Sequence, residues 1–380
     1  MQELNTILQT DFSSKIFNIE KTDYTTSPIF LGQDRGLADS INRKYPELFK
    51  IYKTLKRLDW DEVEFDFSTC NVEFKTCDRD IYEEMISTLA WQWEADTVAA
   101  NSVVPILAPF ISSNEVWNAY CRIQDNENLH ALTYSEIVRL SFDDPSIILG
   151  EVLKVKEAHN RMKVISKVFE ELYKYSHLYA LNQIPASQEL YERIFLFIVA
   201  LYALERIEFM ASFAVTFGIC NTGLFQPIGM AVQKIAQDEF EIHARFGEEL
   251  LKAELATERG RYTFNRIKDK VAAIINEVVN VEYHWNYNFL NGNGRKSRIV
   301  DAKKLADWTS YCAAPVYFFF GLEDKSEHPI IEKNPLSYME DWMNIAAKQT
   351  SPQEQNNNQY KLGVVSRTPS SRKYDFNFGI

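Results

Sequence analysis

The stretch DNENLHALTYSEIVRL, residues 125–140, carries Glu127, His130 and Tyr134 at spacings of three and four residues. On a helix those spacings put a carboxylate, an imidazole and a phenol on one face, with the aliphatic Ile137 and Val138 at its edge. The same mixture of ionisable and apolar groups recurs in three other stretches. In WQWEADTVAANSVVPILAPF, Asp96 shares a helical face with Leu89, Trp93, Ala99, Ala100 and Val103. In LYERIFLFIVALYALERIEFMASFAVTF, Glu205 follows an apolar run and precedes Phe209 and Phe213, and AVQKIAQDEFEIHARFGEEL supplies Glu239 and His243.

An isolated Glu-x-x-His also occurs on solvated helix faces, and an acid beside an arginine is commonly half exposed; the set as a whole argues differently. Four carboxylates and two imidazoles on four core-type helices suit two hard, redox-active metal ions. Anionic oxygen stabilises an oxidised metal, and imidazole nitrogen fills the remaining positions. Buried without metal, such a cluster would leave uncompensated charge, too costly for an accident of packing. Ferritin-like di-iron and di-manganese bundles use one carboxylate from each of two helices and a Glu-x-x-His from each of two others. One spacing departs from that pattern: in E-F-E-I-H, Glu239 precedes His243 by four residues instead of three. At about 100° per residue, a step of four still keeps the pair on one face, whereas Glu241 lies about 200° from His243. Glu239 is therefore the expected ligand, with a local π-type bulge absorbing the extra residue and Glu241 as the alternative.

Long helices must hold these groups, and the chain is built for them. Only 13 Gly and 12 Pro occur in 380 residues, and from about residue 78 to 320 helical periodicity is broken at short turns such as DDPS and NGNG. Helices are expected near 79–101, 113–140, 147–177, 187–218, 224–253, 261–290, 299–319 and 335–348, which makes the fold class all-α, and the ligand pattern is that of a ferritin-like helical bundle. The apolar run IFLFIVALYAL, 194–204, is too short to span a bilayer and reads as core, not as a membrane anchor. A composition of 46% hydrophobic and 25% charged residues is that of a globular protein. The net charge of −12 argues against nucleic acid as a partner. Five cysteines without a C-x-x-C, and an N-terminus MQELNTILQTDFSSKIFNIEK without a signal peptide, point to a reducing, cytoplasmic setting. The expected organisation is a helical di-metal domain over residues 1–350 and a flexible tail over 351–380. The tail is rich in Asn, Gln, Ser, Pro and Gly, yet it ends in Tyr374, Phe376, Phe378 and Ile380, groups suited to docking on a partner or to folding back on the domain.

NENLHALTY, ALERIEFMASFA, IAQDEFEIH and KNPLSYMEDWM, in that order, give the chain from about Trp60 to the C-terminus a likeness to a known family. It resembles the small, radical-generating subunit of class I ribonucleotide reductase, of the tyrosyl-radical type. The resemblance implies that Asp96, Glu127, His130, Glu205, Glu239 and His243 hold two iron ions per chain. It implies that the di-iron(II) site reacts with dioxygen, and that the oxidised cluster takes an electron and a proton from Tyr134, one turn beyond His130, leaving a neutral tyrosyl radical. Phe209, Phe213 and Ile235 correspond to the apolar pocket around that radical, and Trp60 and Asp238, with His130 at the metal end, to the path by which the oxidising equivalent leaves. Tyr360, in QYKLGVV, corresponds to the relay tyrosine of the tail, and YDFNFGI to the peptide that docks on the large catalytic subunit, where ribonucleotides are reduced to deoxyribonucleotides. A homodimer is implied as well. Ligands of this type accept manganese as readily as iron. Tyrosine at 134 argues against variants that place phenylalanine there and keep the oxidant on the metals. Two other readings use the same bundle: a di-iron monooxygenase or desaturase, and an iron store or helical scaffold. Asp96 and Tyr134 weigh against the first, the aromatic tail and the set from Trp60 to Tyr360 against the second.

Overall fold

The structure, a computed structural model, describes residues 15–292 and 294–344; the tail over 351–380, with Tyr360 and the terminal YDFNFGI, lies outside them. The described residues are helical, with one isolated antiparallel bridge between Phe30 and Ile111. Two long helices, Arg79–Leu107 and Asn114–Ser141, pack along each other. Gln188–Ala203 runs through a π turn, Leu204–Glu208, into Phe209–Cys220. Gln226–Gln237 runs through a second π turn, Asp238–His243, into Ala244–Leu255. Glu258–His284 and Ala302–Phe320 pack against these from outside. No helix among the described residues is long and apolar enough to cross a membrane.

Several helix starts are fixed by side-chain capping. Ser113, Ser187 and Thr257 each accept a hydrogen bond from a backbone N–H two or three residues into the helix that follows. Asp301 does the same for two N–H groups, which moves the start of the helix expected at 299 to Ala302. Gly321, at φ 63°, ends that helix in the left-handed conformation that glycine adopts without steric cost. The helix expected over 335–348 is seen as Ser337–Met343, and the end of that range lies beyond the described residues. Pro46–Leu55 and Cys70–Thr76 were not expected, although Leu48, Ile51 and Leu55 of the former make a clear buried stripe.

The single helix expected over 147–177 is instead three: Pro145–Val152, Lys156–Arg161 and Lys163–Ala180. The breaks turn Arg161 into the core, where it is 2% exposed. There its Nε and Nη2 donate to the two carboxylate oxygens of Glu282 at 2.7 and 2.8 Å. Nη2 also donates to the main-chain oxygen of Glu208, at the end of the first π turn, at 3.1 Å. The guanidinium lies 3.7 Å from the ring centroid of Trp91 and 4.2 Å from that of Trp285. Burial, then the neighbouring Glu282, pushes the Glu208 carboxyl well above its usual range, and the guanidinium pairs with Glu282 instead. A second polar seam ties helices together: Gln92 Nε2 donates to Ser212 Oγ at 3.1 Å, and Thr216 Oγ1 donates to Thr88 Oγ1 at 3.3 Å.

Arg161→Met should destabilise the chain by about 3–5 kcal/mol, because it strands Glu282 as an unpaired buried charge. Arg161→Met combined with Glu282→Leu should recover most of that loss. Denaturant midpoints of the three chains check this; a single variant within about 0.5 kcal/mol of wild type, the range of an ordinary surface substitution, would contradict it.

Candidate metal centre

Asp96 comes from Arg79–Leu107, Glu127 and His130 from Asn114–Ser141, Glu205 from the first π turn, and Glu239 and His243 from the second. All six side chains converge in the bundle interior, each no more than 4% exposed. They form two groups of four, Asp96, Glu127, His130 and Glu239, and Glu127, Glu205, Glu239 and His243; within each, one ligand atom per residue lies within 4.8 Å of all the others. Glu127 and Glu239 belong to both groups and would be shared between two ions.

The donor atoms fit such ions. Both oxygens of Asp96 and of Glu127, Oε2 of Glu205, Oε1 of Glu239 and Nδ1 of His130 are buried without a hydrogen-bond partner. Each orphaned group of this kind costs about 1–3 kcal/mol, and more when charged. His130 Nδ1 lies 2.8 Å from Glu239 Oε1 yet is not aligned as a hydrogen bond to it. Nδ1 of His243 lies 2.8 Å from Glu239 Oε2 and 3.1 Å from Glu127 Oε1. Lone pairs from four helices thus point into one small volume, as cation ligands do.

Without a cation, protons take on the balancing of charge. Burial, then the field of the neighbouring carboxylates, pushes Asp96, Glu127 and Glu205 up. Burial works against the His243 imidazolium, but Glu239 and Glu127 outweigh it and its pKa is pushed up to about 10. His130 is raised well above its ordinary value against the same burial, chiefly by Glu239. Burial would raise Glu239 too, yet between the two imidazoles it is held below the usual carboxylate range.

Of the three π turns among the described residues, two fall on ligands and the third, Trp285–Leu290, carries none. The turn over Asp238–His243 takes up the extra residue of E-F-E-I-H: Glu239 is fully buried in the cluster and Glu241 is exposed. The turn over Leu204–Glu208 had no counterpart in the spacing of the sequence. Single π turns within α-helices are frequent at functional sites.

Around the donors lies a hydrogen-bonded shell. Asp238 Oδ2 accepts from Trp60 Nε1 at 2.7 Å and from Asn126 Nδ2 at 3.1 Å, and it lies 3.2 Å from His130 Nε2. The Trp60 ring is 8% exposed and nearly parallel to that of His130, at 18° and 6.0 Å between centroids. Asn126 Oδ1 lies 2.9 Å from His243 Nε2. The sequence reading passed over Asn126, whose step of four residues to His130 was the available signal. Tyr134 is 1% exposed and its hydroxyl has no partner; burial, then the charge of Asp96, pushes its pKa well above the ordinary range. Phe209, Phe213 and Ile235 are fully buried, and the two phenyl rings stack at 5.7 Å between centroids.

Known proteins carry the same architecture. A family model described as "Ribonucleotide reductase, small chain" matches residues 39–335. The ribonucleoside-diphosphate reductase subunit beta of Buchnera aphidicola subsp. Schizaphis graminum is 22% identical over 375 residues, covering 94% of this chain and 97% of its own. Ribonucleoside-diphosphate reductase 1 subunit beta of Escherichia coli O157:H7 is 23% identical over 374 residues, covering 92% and 95%. Among solved structures, the ribonucleotide reductase R2 subunit from Clostridium botulinum aligns with a TM-score of 0.74 at 18% identity, over 86% of this chain and 97% of its own. The dimanganese(II)-NrdF of Streptococcus sanguinis aligns with a TM-score of 0.62 at 12% identity, over 80% and 98%. With a family model matching most of its length around a buried double cluster of carboxylates and imidazoles, the chain belongs to the small-chain family of ribonucleotide reductase.

Proposed function

We propose that Asp96, Glu127, His130, Glu205, Glu239 and His243 hold two iron ions, and that the chain generates and stores a tyrosyl radical on Tyr134 for a large catalytic subunit. The observation that carries this reading is the double set of orphaned donors sharing Glu127 and Glu239. When bound, two Fe(II) ions would supply electrons for the reduction of dioxygen and the oxidising power to remove an electron and a proton from Tyr134. Manganese is the alternative metal, since the ligand types suit both ions and a fold neighbour is a dimanganese(II) protein.

The chain's own residues account for the rest. Tyr134 is buried, and its raised pKa keeps it a neutral phenol, so its oxidation removes the proton along with the electron. Phe209, Phe213 and Ile235 supply an apolar wall that keeps water and reductants away. Asp238 accepts the Trp60 N–H on one side and faces His130 on the other, a direct route for the oxidising equivalent to leave the centre. Tyr360 would relay it onward, and the end of the tail, Phe376, Phe378 and Ile380, would dock on the large subunit. Five free thiols suit a reducing cytoplasm, and the working form would be a homodimer. Electron paramagnetic resonance after adding Fe(II) and oxygen to metal-free protein tests the reading: a tyrosyl signal with two ions per chain is expected, and one ion or none would overturn it.

The pH dependence follows from the proton load of the cluster. His243 has its pKa raised from 6.5 to about 10, so its stabilising contribution is complete below 6.5 and is lost as pH rises through 10. Asp96, Glu127 and Glu205 are also raised, and they too weaken the fold as they lose protons. Metal-free protein should therefore lose stability steadily between pH 6.5 and 10. Metal uptake near neutral pH should release protons. Denaturant midpoints across pH and proton release during metal titration check both; a midpoint that is flat or rising in that window would contradict the charge assignment.

Tyr134→Phe should bind metal and consume oxygen normally, with an unchanged fold, while losing the tyrosyl signal and turnover with the large subunit. Retained turnover would place the stored oxidant elsewhere.

Removing residues 374–380 should leave metal and radical intact but abolish association with the large subunit in sedimentation. Tyr360→Phe should associate normally and fail in turnover. Normal binding by the shortened chain would exclude the docking role.

A further inference from the structure

Asn126 stands between the two halves of the centre and belongs to neither ligand group. It is 3% exposed, and its amide lies between His243 Nε2, 2.9 Å from Oδ1, and Asp238 Oδ2, 3.1 Å from Nδ2. The proton positions follow from what each neighbour can offer. An ionised Asp238 has only acceptors, so the amide must present its NH₂ to Asp238 and its oxygen to His243. An amide oxygen accepts only, so His243 must carry a proton on Nε2. That leaves Nδ1 of His243, 3.1 and 2.8 Å from Glu127 and Glu239, as the nitrogen that would meet a metal ion. His130 repeats the arrangement without an intermediary: its Nε2 faces Asp238, at 3.2 Å, and its Nδ1 faces Glu239, at 2.8 Å.

We propose that Asn126 is a positioning residue, which fixes the Nε2–H tautomer of His243 and, by its second bond, fastens the Glu205/His243 half of the centre to Asp238. This rests on the reading of His130 and His243 as metal ligands. Asp238 already holds Trp60 and His130, so through Asn126 one carboxylate orients both ligand imidazoles and the tryptophan of the exit path. The amide is suited to this position because it is donor and acceptor at once. A second carboxylate would face Asp238 with like charge, and an aliphatic group would leave His243 Nε2 and Asp238 each short of a partner.

Zinc(II) tests the assignment without reference to turnover, since it is diamagnetic and redox-silent. In zinc-loaded wild type, nitrogen-edited NMR should show His130 and His243 each with one ring N–H, on Nε2 and slow to exchange with solvent. Asn126→Leu, of similar volume, should lose the protected His243 N–H and bind the second zinc about 10–100-fold more weakly, with the unfolding midpoint showing that the chain still folds. Asn126→Asp keeps an acceptor for His243 and replaces the donor toward Asp238. It should retain the protected His243 N–H while shifting the Trp60 Nε1–H and His130 Nε2–H resonances, and it decides the question should Asn126→Leu not fold. An Asn126→Leu chain with wild-type zinc affinity, or with the His243 N–H still protected, overturns the proposal. So does an Asn126→Asp chain whose Trp60 and His130 resonances do not move. Wild type that takes up no zinc overturns the ligand reading itself, and this inference with it.

Discussion

The interior of this bundle is organised by the cost of burying charge. Asp96, Glu127, Glu205 and Glu239 sit together with at most 2% exposure, where water cannot solvate them and the effective dielectric is low. Four carboxylates at that spacing cannot all ionise unless cations stand among them. The two imidazoles provide part of the compensation: they are raised, Glu239 between them is lowered, and the remaining acids are driven toward their neutral forms. Two dications would match the charge of the four carboxylates and replace that distribution of protons, and the sharing of Glu127 and Glu239 gives each group four donor residues where six divided separately would give three. A smaller instance of the same rule is found around Arg161. There Glu282 is the carboxyl group that pairs with the guanidinium, and the adjacent Glu208 is pushed toward neutrality.

Helix geometry makes this concentration reachable. A regular helix spreads consecutive side chains evenly about its axis, and the two π turns rephase it locally where a ligand must be delivered. Tertiary contacts secure the altered turns: Arg161 bonds the carbonyl at the end of one, and Asp238, at the start of the other, is gripped by Trp60 and Asn126. On the proposed function the centre has a dry side and a hydrogen-bonded side. Phe209, Phe213 and Ile235 offer no donors or acceptors in their side chains, whereas Asp238 opens onto a chain of N–H groups.

Residue type and spacing made much of this legible. Asp96, Glu127, His130, Glu205, Glu239 and His243 stood out as ionisable groups on apolar helices, and the structure brings all six together. The E-F-E-I-H spacing was readable because two groups needed on one face were four residues apart, and that mismatch has a local solution in a π turn. The π turn at Glu205 was not, since it shows in no spacing and is supported from elsewhere in the chain. The breaks within 147–177 were hidden for a related reason: helical periodicity predicts an outward face for a residue such as Arg161, and its partner Glu282 is more than a hundred positions away. Asn126 had only its step of four residues to His130 to mark it, because an amide acquires its role from the neighbours that other helices bring to it.

On the proposed function, the surroundings of two tryptophans explain why the oxidising equivalent should leave toward Trp60. Trp91, on the helix that carries Asp96, packs against Phe209, with 4.9 Å between ring centroids. Its face, however, is covered by the Arg161 guanidinium at 3.7 Å, and its indole N–H has no acceptor. Losing an electron there would set a ring cation against a fixed cation in a low-dielectric interior, with no group to take the proton. Trp60 is in the opposite situation: its N–H is held at 2.7 Å by a carboxylate, which stabilises positive charge on the ring and can share its proton. On the proposed function, the two rings differ in the charge each faces, and that difference gives the route a direction that packing alone would not.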